Sequence, residues 1–249
     1  MYTHAINPTI LQLGPLEIRW YGLMYVLAFF VTYYYIRSAI RQDKLKITEK
    51  ELDDLLGTMV VLMILGARLF YAIFYSPEYF IDAPWKILYV WEGGLSFHGG
   101  FLGVATAAFL FARKKQIPFL KLADLFCVPI ALGNAFGRMG NFINGELYGV
   151  PTNLPWGVIF PGTEGPRHPT QLYEAAYNIA IFGILYSMRN KKWKDGTLFG
   201  LFMILYSIFR FSVEFIKDLP SYGPLTMGQW LTIPVFLLGI WLVWTRRNV

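Results

Sequence analysis

Four arginines stand in or beside long apolar stretches of this 249-residue sequence, at Arg19, Arg68, Arg138 and Arg210. An arginine in hydrocarbon costs at least about 2.5 to 3.5 kcal/mol, so each one needs a partner, a cavity or an interface to face. Arg68 and Arg210 fall well inside their apolar stretches, whereas Arg19 and Arg138 fall near the ends. The four positions therefore predict a polar site within an otherwise apolar protein, with Arg68 among its substrate-binding candidates.

The densest polar run is GRMGNFINGELYG, Gly137 to Gly149, which places Asn141, Asn144 and Glu146 after Arg138. Its glycines permit turns and close backbone approach. Non-helical backbone at membrane depth is tolerated only where it is buried in protein or lines a cavity. The run favours a polar site, and the alternative is a broken helix end whose asparagines satisfy turn backbone groups.

A histidine stands in the run SFHGGFLGV, where His98 is followed by Gly99, Gly100 and Gly103. An imidazole at a helix start can take a proton near neutral pH, which makes His98 a candidate general base. The alternative is an interfacial histidine beside a packing face formed by Gly99 and Gly103.

The segment FRFSVEF places Arg210 and Glu214 four residues apart, on one face of a helix. This spacing predicts an ion pair. In lipid a paired charge needs little further explanation, which is the structural alternative. Apolar residues can nevertheless replace such a pair at no cost to folding, so its retention is also compatible with a functional role.

The segment RHPTQLYE, Arg167 to Glu174, contains His168 and precedes an apolar run. It is typical of a helix start, with Thr170 as the predicted cap. A catalytic role for His168 is the weaker interpretation.

The composition indicates the setting of these residues: 55% hydrophobic, 18% aromatic and 15% charged, with a mean hydropathy of +0.43. Soluble domains carry about 25% charged residues. A helix needs about 20 apolar residues to cross a bilayer. The sequence predicts an all-α integral membrane protein, a single polytopic domain over 1–249 with seven spans and a small outer loop region at 141–169. The spans lie near 18–36, 53–75, 97–112, 120–140, 170–188, 198–216 and 227–245.

Basic residues predict the orientation of the spans. Fifteen of the 22 lysines and arginines fall in the alternate connections 37–50, 113–121 and 189–194 and in the C-terminal tail. By the positive-inside rule these segments are cytoplasmic, which places the N-terminus outside and the C-terminus inside. The formal charge of +6 then reflects topology, and no nucleic-acid partner is expected.

Cys127 is the only cysteine, which excludes an internal disulfide and a multi-cysteine metal cluster. No set of histidines and carboxylates has ligand spacing, so neither a metal nor another cofactor is expected. A packing role is predicted for Cys127.

The run GRMGNFINGELYG closely resembles the signature of the bacterial prolipoprotein diacylglyceryl transferases, and SFHGG, RHPTQLYE, the WYGLMY start and FRFSVEF follow in that family's order. The resemblance implies a seven-span inner-membrane enzyme that transfers the diacylglyceryl group of phosphatidylglycerol to the lipobox cysteine in a prolipoprotein signal peptide. A thioether forms and glycerol phosphate leaves, and the reaction takes place among the membrane lipids. The loop before RHPTQ is shorter than in the family's larger members.

The resemblance also implies roles for individual residues. Arg138 and Arg210 would contact the lipid phosphate as catalytic and binding residues, and His98 would assist the thiol. The other expected substrate-binding positions are Tyr21, Asn141, Asn144, Glu146, Gly149 and Glu214.

Other functions remain open on the residues alone. An anionic-phospholipid binding or transport protein would keep the arginines and would not need His98. A seven-span receptor would need no arginine cluster. A serine-based intramembrane protease is disfavoured, because Ser96 lies two residues from His98 and no G-x-S-x-G element is present.

Overall fold

The computed structural model of the protein describes residues 2–14 and 16–246, with Leu16 described by its backbone alone. Within these residues seven helices have 18 or more residues, and one short helix and two 3-10 turns (Pro84–Leu88 and Val90–Glu92) lie between the second and the third of them. The helices are α1 Trp20–Arg41, α2 Glu49–Phe74, α3 Pro77–Asp82, α4 Phe97–Lys115, α5 Phe119–Asn144, α6 Thr170–Met188, α7 Thr197–Glu214 and α8 Met227–Arg246.

Each of the seven predicted segments overlaps one long helix, and the bounds of α6 agree at both ends. The helix α2 begins four residues before the predicted start, because Thr48 and Glu51 form a capping box. The helix α5 continues past the predicted end, to Asn144. This extension places Asn141 and Asn144 on the last turn of the helix.

Five of the helices are long and apolar enough to cross a membrane: α1, α2, α5, α7 and α8. Their outer faces expose large apolar side chains such as Phe30, Ile73 and Leu237, as expected of surfaces that contact lipid. The helices α4 and α6 are present but less apolar, because α4 is rich in glycine and alanine and α6 carries Gln171 and Glu174 near its start. A mostly helical protein with several helices able to cross a membrane is therefore confirmed, whereas the count of seven spans and their orientation stay predictions.

Six short strands, paired in twos, also occur, which the all-α prediction did not include. The strand β1 (Tyr2–Thr3) pairs in parallel with β4 (Val158–Ile159), and β2 (Thr9–Leu13) pairs with β3 (Leu16–Arg19) as a hairpin. The strands β5 (Ser221–Tyr222) and β6 (Leu225–Thr226) form a second hairpin. The first three strands precede α1, and the other three lie in connections between helices; in both places the backbone needs hydrogen-bond partners outside a helix.

The chain forms two compact units, Met1–Tyr35 with Ala123–Val249, and Ile36–Leu122. In the second unit α4 packs closely on α2 through glycines. A Cβ atom on Gly99 would collide with the backbone of Gly66, and one on Gly103 would collide with the backbone of Leu62. The packing face predicted for Gly99 and Gly103 is confirmed.

The first unit is built around α6 and α7 with part of α5. Its core contains Cys127, Ile181 and Leu185, each at most 1% exposed. The packing role predicted for Cys127 is confirmed. The Asp124 carboxylate accepts hydrogen bonds from the backbone N–H groups of Gly196 and Phe199, both at 2.7 Å, so it fixes the start of α7. This core holds α5, α6 and α7 together.

Candidate functional site

A buried carboxylate on α6, Glu174, holds three cations in the first unit. Its side chain is 0% exposed. The Arg138 Nε atom lies 2.7 Å from Glu174 Oε2, and the Lys217 Nζ atom lies 3.1 Å from Oε1. Arg210 Nη1 donates to the same Oε1 atom. One carboxylate therefore joins cations from α5, α7 and the segment after α7.

A second carboxylate, Glu214, binds only one of these cations. Its Oε2 atom lies 2.8 Å from Arg210 Nη2, one helical turn away, so the predicted ion pair is confirmed. The Thr226 hydroxyl donates to Glu214 Oε1 at 2.9 Å, and Gly228 leaves room for the carboxylate because a Cβ atom there would collide with it. The Glu214 side chain is 1% exposed, so it holds Arg210 from inside the protein.

The exposed fractions show which side of this cluster is accessible. The side chains of Glu174 and Glu214 are at most 1% exposed, whereas that of Arg138 is 23% exposed and that of Arg210 is 16% exposed. The carboxylates are therefore buried inside the protein, and the guanidinium groups lie on the accessible side of the cluster. Three cations face two buried carboxylates, which leaves one positive charge in excess. Guanidinium groups arranged in this way can bind an anion such as a phosphate.

The last turn of α5 links Arg138 to the residues that follow the helix. Arg138 Nη1 donates to Asn141 Oδ1 at 3.2 Å. The amide groups of Asn141 and Asn144 both donate to Glu146 Oε1, at 2.9 and 3.1 Å. Gly145 ends the helix with a φ of +69°, which a glycine adopts without strain. The chain turns back there, and Glu146 meets the two asparagines.

This turn is also tied to α6. The Thr170 hydroxyl donates to the Leu147 carbonyl at 2.9 Å, and Gln171 Nε2 donates to the Glu146 carbonyl at 2.5 Å. The prediction that Thr170 caps α6 was therefore wrong, because Thr170 is the first residue of the helix and Pro169 is its N-cap. The hydroxyl instead holds the turn against the helix that carries Glu174.

Gly149 lies at a close backbone crossing. A Cβ atom there would collide with the Ile216 carbonyl oxygen and would lie 2.8 Å from Thr170 Cγ2 and 2.9 Å from His168 Cβ. Its N–H donates to the His168 carbonyl at 2.8 Å, and it forms a bridge with Lys217. Gly149 thus positions the segment that carries Lys217, and its predicted contact with substrate stays a prediction.

Tyr21 lies at the start of α1, against α5. A Cβ atom on Gly140 would lie 2.7 Å from the ring atom Cδ2 of Tyr21, and the hydroxyl groups of Tyr21 and Tyr25 are 3.2 Å apart. The ring therefore covers the helix turn between Arg138 and Asn141. Arg19, immediately before α1, pairs with Glu17 at 2.7 Å and is 57% exposed. It contacts Glu17 and not the Glu174 cluster.

Arg68, in the second unit, is 4% exposed, and its hydrogen-bond partners are backbone carbonyls of the protein. Its guanidinium group donates to the carbonyls of residues 86, 87, 89, 93 and 94, over distances of 2.5 to 3.2 Å. It also lies 4.9 Å from the centroid of the Phe80 ring. Arg68 therefore fixes the connection between α3 and α4, and its role as a substrate-binding residue stays a prediction.

His98 lies on the first turn of α4, also in the second unit. Ser96 is the N-cap of this helix. The imidazole is exposed, and its centroid lies 6.3 Å from that of Phe70 and 5.9 Å from that of Phe97. An exposed ring at a helix start can exchange protons with a substrate, and the role of general base stays a prediction. His168, in the first unit, lies 3.2 Å from the Tyr173 hydroxyl, which suits the structural role favoured from the sequence.

Two residues of the cluster were missed by sequence reasoning, Glu174 and Lys217. Glu174 was assigned to a helix start, and Lys217 was given no role. A signal for Glu174 was present, because Thr170, Glu174 and Asn178 recur every four residues on one face of α6, and all three are at most 1% exposed. No comparable pattern marks Lys217.

Comparison with known proteins shows the family of this chain. The family model described as prolipoprotein diacylglyceryl transferase matches residues 8–245. The phosphatidylglycerol-prolipoprotein diacylglyceryl transferase of Geobacter sulfurreducens is 46% identical over 243 residues, which cover 94% of this chain and 93% of that protein. The enzyme of the same name from Cupriavidus pinatubonensis is 46% identical over 254 residues, with coverages of 97% and 92%. The one from Bordetella avium is 44% identical, with coverages of 94% and 92%. The chain therefore belongs to the prolipoprotein diacylglyceryl transferase family.

Proposed function

We propose that this protein transfers the diacylglyceryl group of phosphatidylglycerol to the lipobox cysteine of a prolipoprotein, the first step of lipoprotein maturation. The observation that carries the proposal, together with the family, is the pair of guanidinium groups held on one buried carboxylate. Arg138 and Arg210 both bind Glu174 and both keep an accessible face. Two planar cations so arranged suit the two non-bridging oxygens of a phosphodiester.

The reaction requires charge stabilisation at the phosphate. The cysteine sulfur attacks the glycerol carbon of the diacylglyceryl group, a C–S bond forms, and the C–O bond to the phosphate breaks. The bonding electron pair goes to the phosphate oxygen, and the thiol proton goes to a base. Since the leaving phosphate gains a negative charge, donors already in place around it lower the barrier more than they stabilise the ground state.

The two carboxylates supply this preorganisation. Glu174 fixes Arg138 through Nε and Arg210 through Nη1, and Glu214 fixes Arg210 through Nη2. Each arginine therefore needs no rearrangement when the phosphate arrives. The buried pairs also offset the cost of holding guanidinium groups away from water.

The remaining predicted residues are given supporting roles in this proposal. Asn141, Asn144 and Glu146 form the hydrogen-bonded chain that begins at Arg138, and we assign to them the orientation of Arg138 and contact with the lipid head group. Tyr21 shields the same turn of α5. His98 takes the thiol proton, since a cysteine of pKa about 8.5 is mostly protonated at neutral pH. Arg68 positions the connection that precedes His98 in the sequence.

The proposal includes a topology. The seven long helices cross the cytoplasmic (inner) membrane of a bacterium, with the N-terminus outside and the C-terminus inside. The basic connections 37–50, 113–121 and 189–194 support this orientation. The end of α5, the end of α7 and the start of α6 then face outward, where a translocated signal peptide presents its cysteine. Phosphatidylglycerol reaches the site from the surrounding membrane lipids.

The test is direct formation of the product. Purified protein is incubated with phosphatidylglycerol and a lipobox peptide, and the peptide is examined by mass spectrometry for a thioether-linked diacylglyceryl group. A peptide with serine in place of the cysteine is the control, and we expect no adduct on it. If the cysteine peptide gains no adduct while phosphatidylglycerol still binds, the protein is an anionic-phospholipid binding or transport protein and the transferase proposal is wrong.

A further inference from the structure

A cleft of about 380 Å³ lies beside the Glu174 cluster in the first unit. Its walls are the turn of residues 145–148, after α5, and the segment of residues 217–219, after α7. The Lys217 side chain is only 4% exposed, whereas that of Asp218 is 56% exposed. Lys217 thus lies at the inner end of the cleft, and Asp218 lies at its rim.

Both walls are held in place by hydrogen bonds within the protein. Thr170 and Gln171 on α6 bind the carbonyls of the first wall. On the second wall, the Val150 N–H donates to the Ile216 carbonyl at 3.0 Å, and Asp218 pairs with Arg167 at 2.6 Å. The cleft is therefore formed without a ligand.

Lys217 has incomplete charge compensation. The only carboxylate within ion-pair distance of its ammonium group, among the residues described, is Glu174, which also binds Arg138 and Arg210. Arg210 has Glu214 as a second partner, and Lys217 has no equivalent. An anion in the cleft would supply the missing compensation.

The charged groups around Lys217 come from several elements. They are Glu174 on α6, Arg138 on α5, Arg210 and Glu214 on α7, Glu146 in the turn, and Asp218 beside it; the neutral phenol of Tyr148 also lines the cleft. Burial is the main cause that lowers the pKa of the Lys217 ammonium, Glu174 opposes it, and Arg210 and Arg138 act in the same direction as burial, with a net pKa of about 8. The ammonium is therefore charged at neutral pH and loses its proton in mildly alkaline solution.

Resting on the proposed function, we propose that this cleft binds the glycerol phosphate leaving group, with the Lys217 ammonium as a third cation on its phosphate. When the C–O bond breaks, the electron pair goes to the phosphate oxygen, and Lys217 stabilises the new charge without giving up its proton. The Glu146 carboxylate, which lines the cleft, accepts hydrogen bonds from the hydroxyl groups of the glycerol. Lys217 and Glu146 together then favour a head group that carries both a phosphate and hydroxyls.

The test compares Lys217→Met and Lys217→Arg with the wild-type protein, with Lys191→Met as the control. Lys191 is exposed in the connection between α6 and α7, so its substitution should leave activity unchanged. We expect Lys217→Met to lower kcat by about 10²-fold or more, as for the loss of one donor to a developing oxyanion. Inhibition by added glycerol phosphate should weaken at least tenfold in the same variant, and inhibition by glycerol alone should not change.

The pH profile separates a charge role from a structural one. The kcat/KM of the wild-type protein depends on ionisations of the free enzyme and of the free peptide; loss of the Lys217 proton near pH 8 lowers it, whereas ionisation of the peptide thiol raises it. The ratio of Lys217→Arg to wild-type kcat/KM cancels the ionisation of the thiol, and we expect this ratio to rise above pH 8. A flat ratio, or wild-type kcat and product inhibition in Lys217→Met, would overturn the inference.

The two proposals fail in different ways. A wild-type protein that forms no adduct refutes the transferase proposal and the inference that rests on it. A wild-type protein that forms the adduct, with Lys217 variants that match it in kcat, pH profile and product inhibition, refutes the inference alone. If Lys217→Met does not fold, the pH profile of Lys217→Arg alone decides.

Discussion

Replacing Arg138 with lysine keeps the positive charge and removes the planar fork. In the structure Arg138 uses two different nitrogens, Nε toward Glu174 Oε2 at 2.7 Å and Nη1 toward Asn141 Oδ1 at 3.2 Å. A lysine has one nitrogen, so it can keep the contact with Glu174 or reach the phosphate, but not both. Loss of one preorganised donor to a developing oxyanion costs about 10² to 10³-fold in kcat. We expect a loss of this size in Arg138→Lys.

The assay for Arg138→Lys measures kcat and KM for thioether formation on the lipobox peptide, together with the melting temperature in detergent. Arg113→Lys is the matched control, because Arg113 is exposed at the end of α4. We expect the melting temperature of Arg138→Lys to stay close to that of the wild-type protein, since the lysine can still pair with Glu174. Wild-type kcat in this variant would refute the argument that Arg138 must hold Glu174 and the phosphate at the same time.

Three further substitutions test the framework of the site. Glu174→Gln removes the carboxylate that the three cations share, and we expect it to destabilise the protein by about 3 to 5 kcal/mol. The measurement is the melting temperature, which should be lower than that of Glu78→Gln, a control at an exposed position on α3. Gly149→Ala places a methyl group against the Ile216 carbonyl, so we expect a severe loss of activity. Gly183→Ala, on α6 with open space around it, should leave activity at the wild-type level; equal activities of the two variants would show that the close backbone contact at Gly149 is not required. Arg68→Lys leaves most of five carbonyls without a donor, and we expect faster proteolysis between residues 84 and 95; an unchanged cleavage rate would show that Arg68 does not hold this connection.

The sequence predicted those parts of the fold and site that depend on local spacing. The seven helices follow from the lengths of apolar runs, and the Arg210–Glu214 pair follows from a separation of one helical turn. The packing of α4 on α2 follows from Gly99 and Gly103 on one face. In each case the residues that interact are either close in sequence or repeat with the period of the helix.

The sequence did not predict contacts that depend on which helices meet. Glu174 is 36 residues from both Arg138 and Arg210 along the chain, and Lys217 is 43 residues away. Arg68 was predicted to face a substrate, yet its described partners are backbone carbonyls 18 to 26 residues away. A cation inside a membrane protein shows only that its charge needs a partner, and a carboxylate, a carbonyl or a ligand can each be that partner.

The buried carboxylates Glu174 and Glu214 explain why a site for a lipid phosphate contains negative charge. Without Glu174 and Glu214 the empty site would bury three uncompensated cations, at a cost of several kcal/mol for each. With them, the empty site is stable, and one positive charge remains to attract a phosphodiester of single negative charge. Because both carboxylates are at most 1% exposed while the arginines are 16% and 23% exposed, the incoming phosphate meets guanidinium groups first. As the C–O bond breaks the phosphate becomes dianionic, so its attraction to the fixed cations grows during the reaction, and that growth is the part of the binding energy that accelerates the transfer.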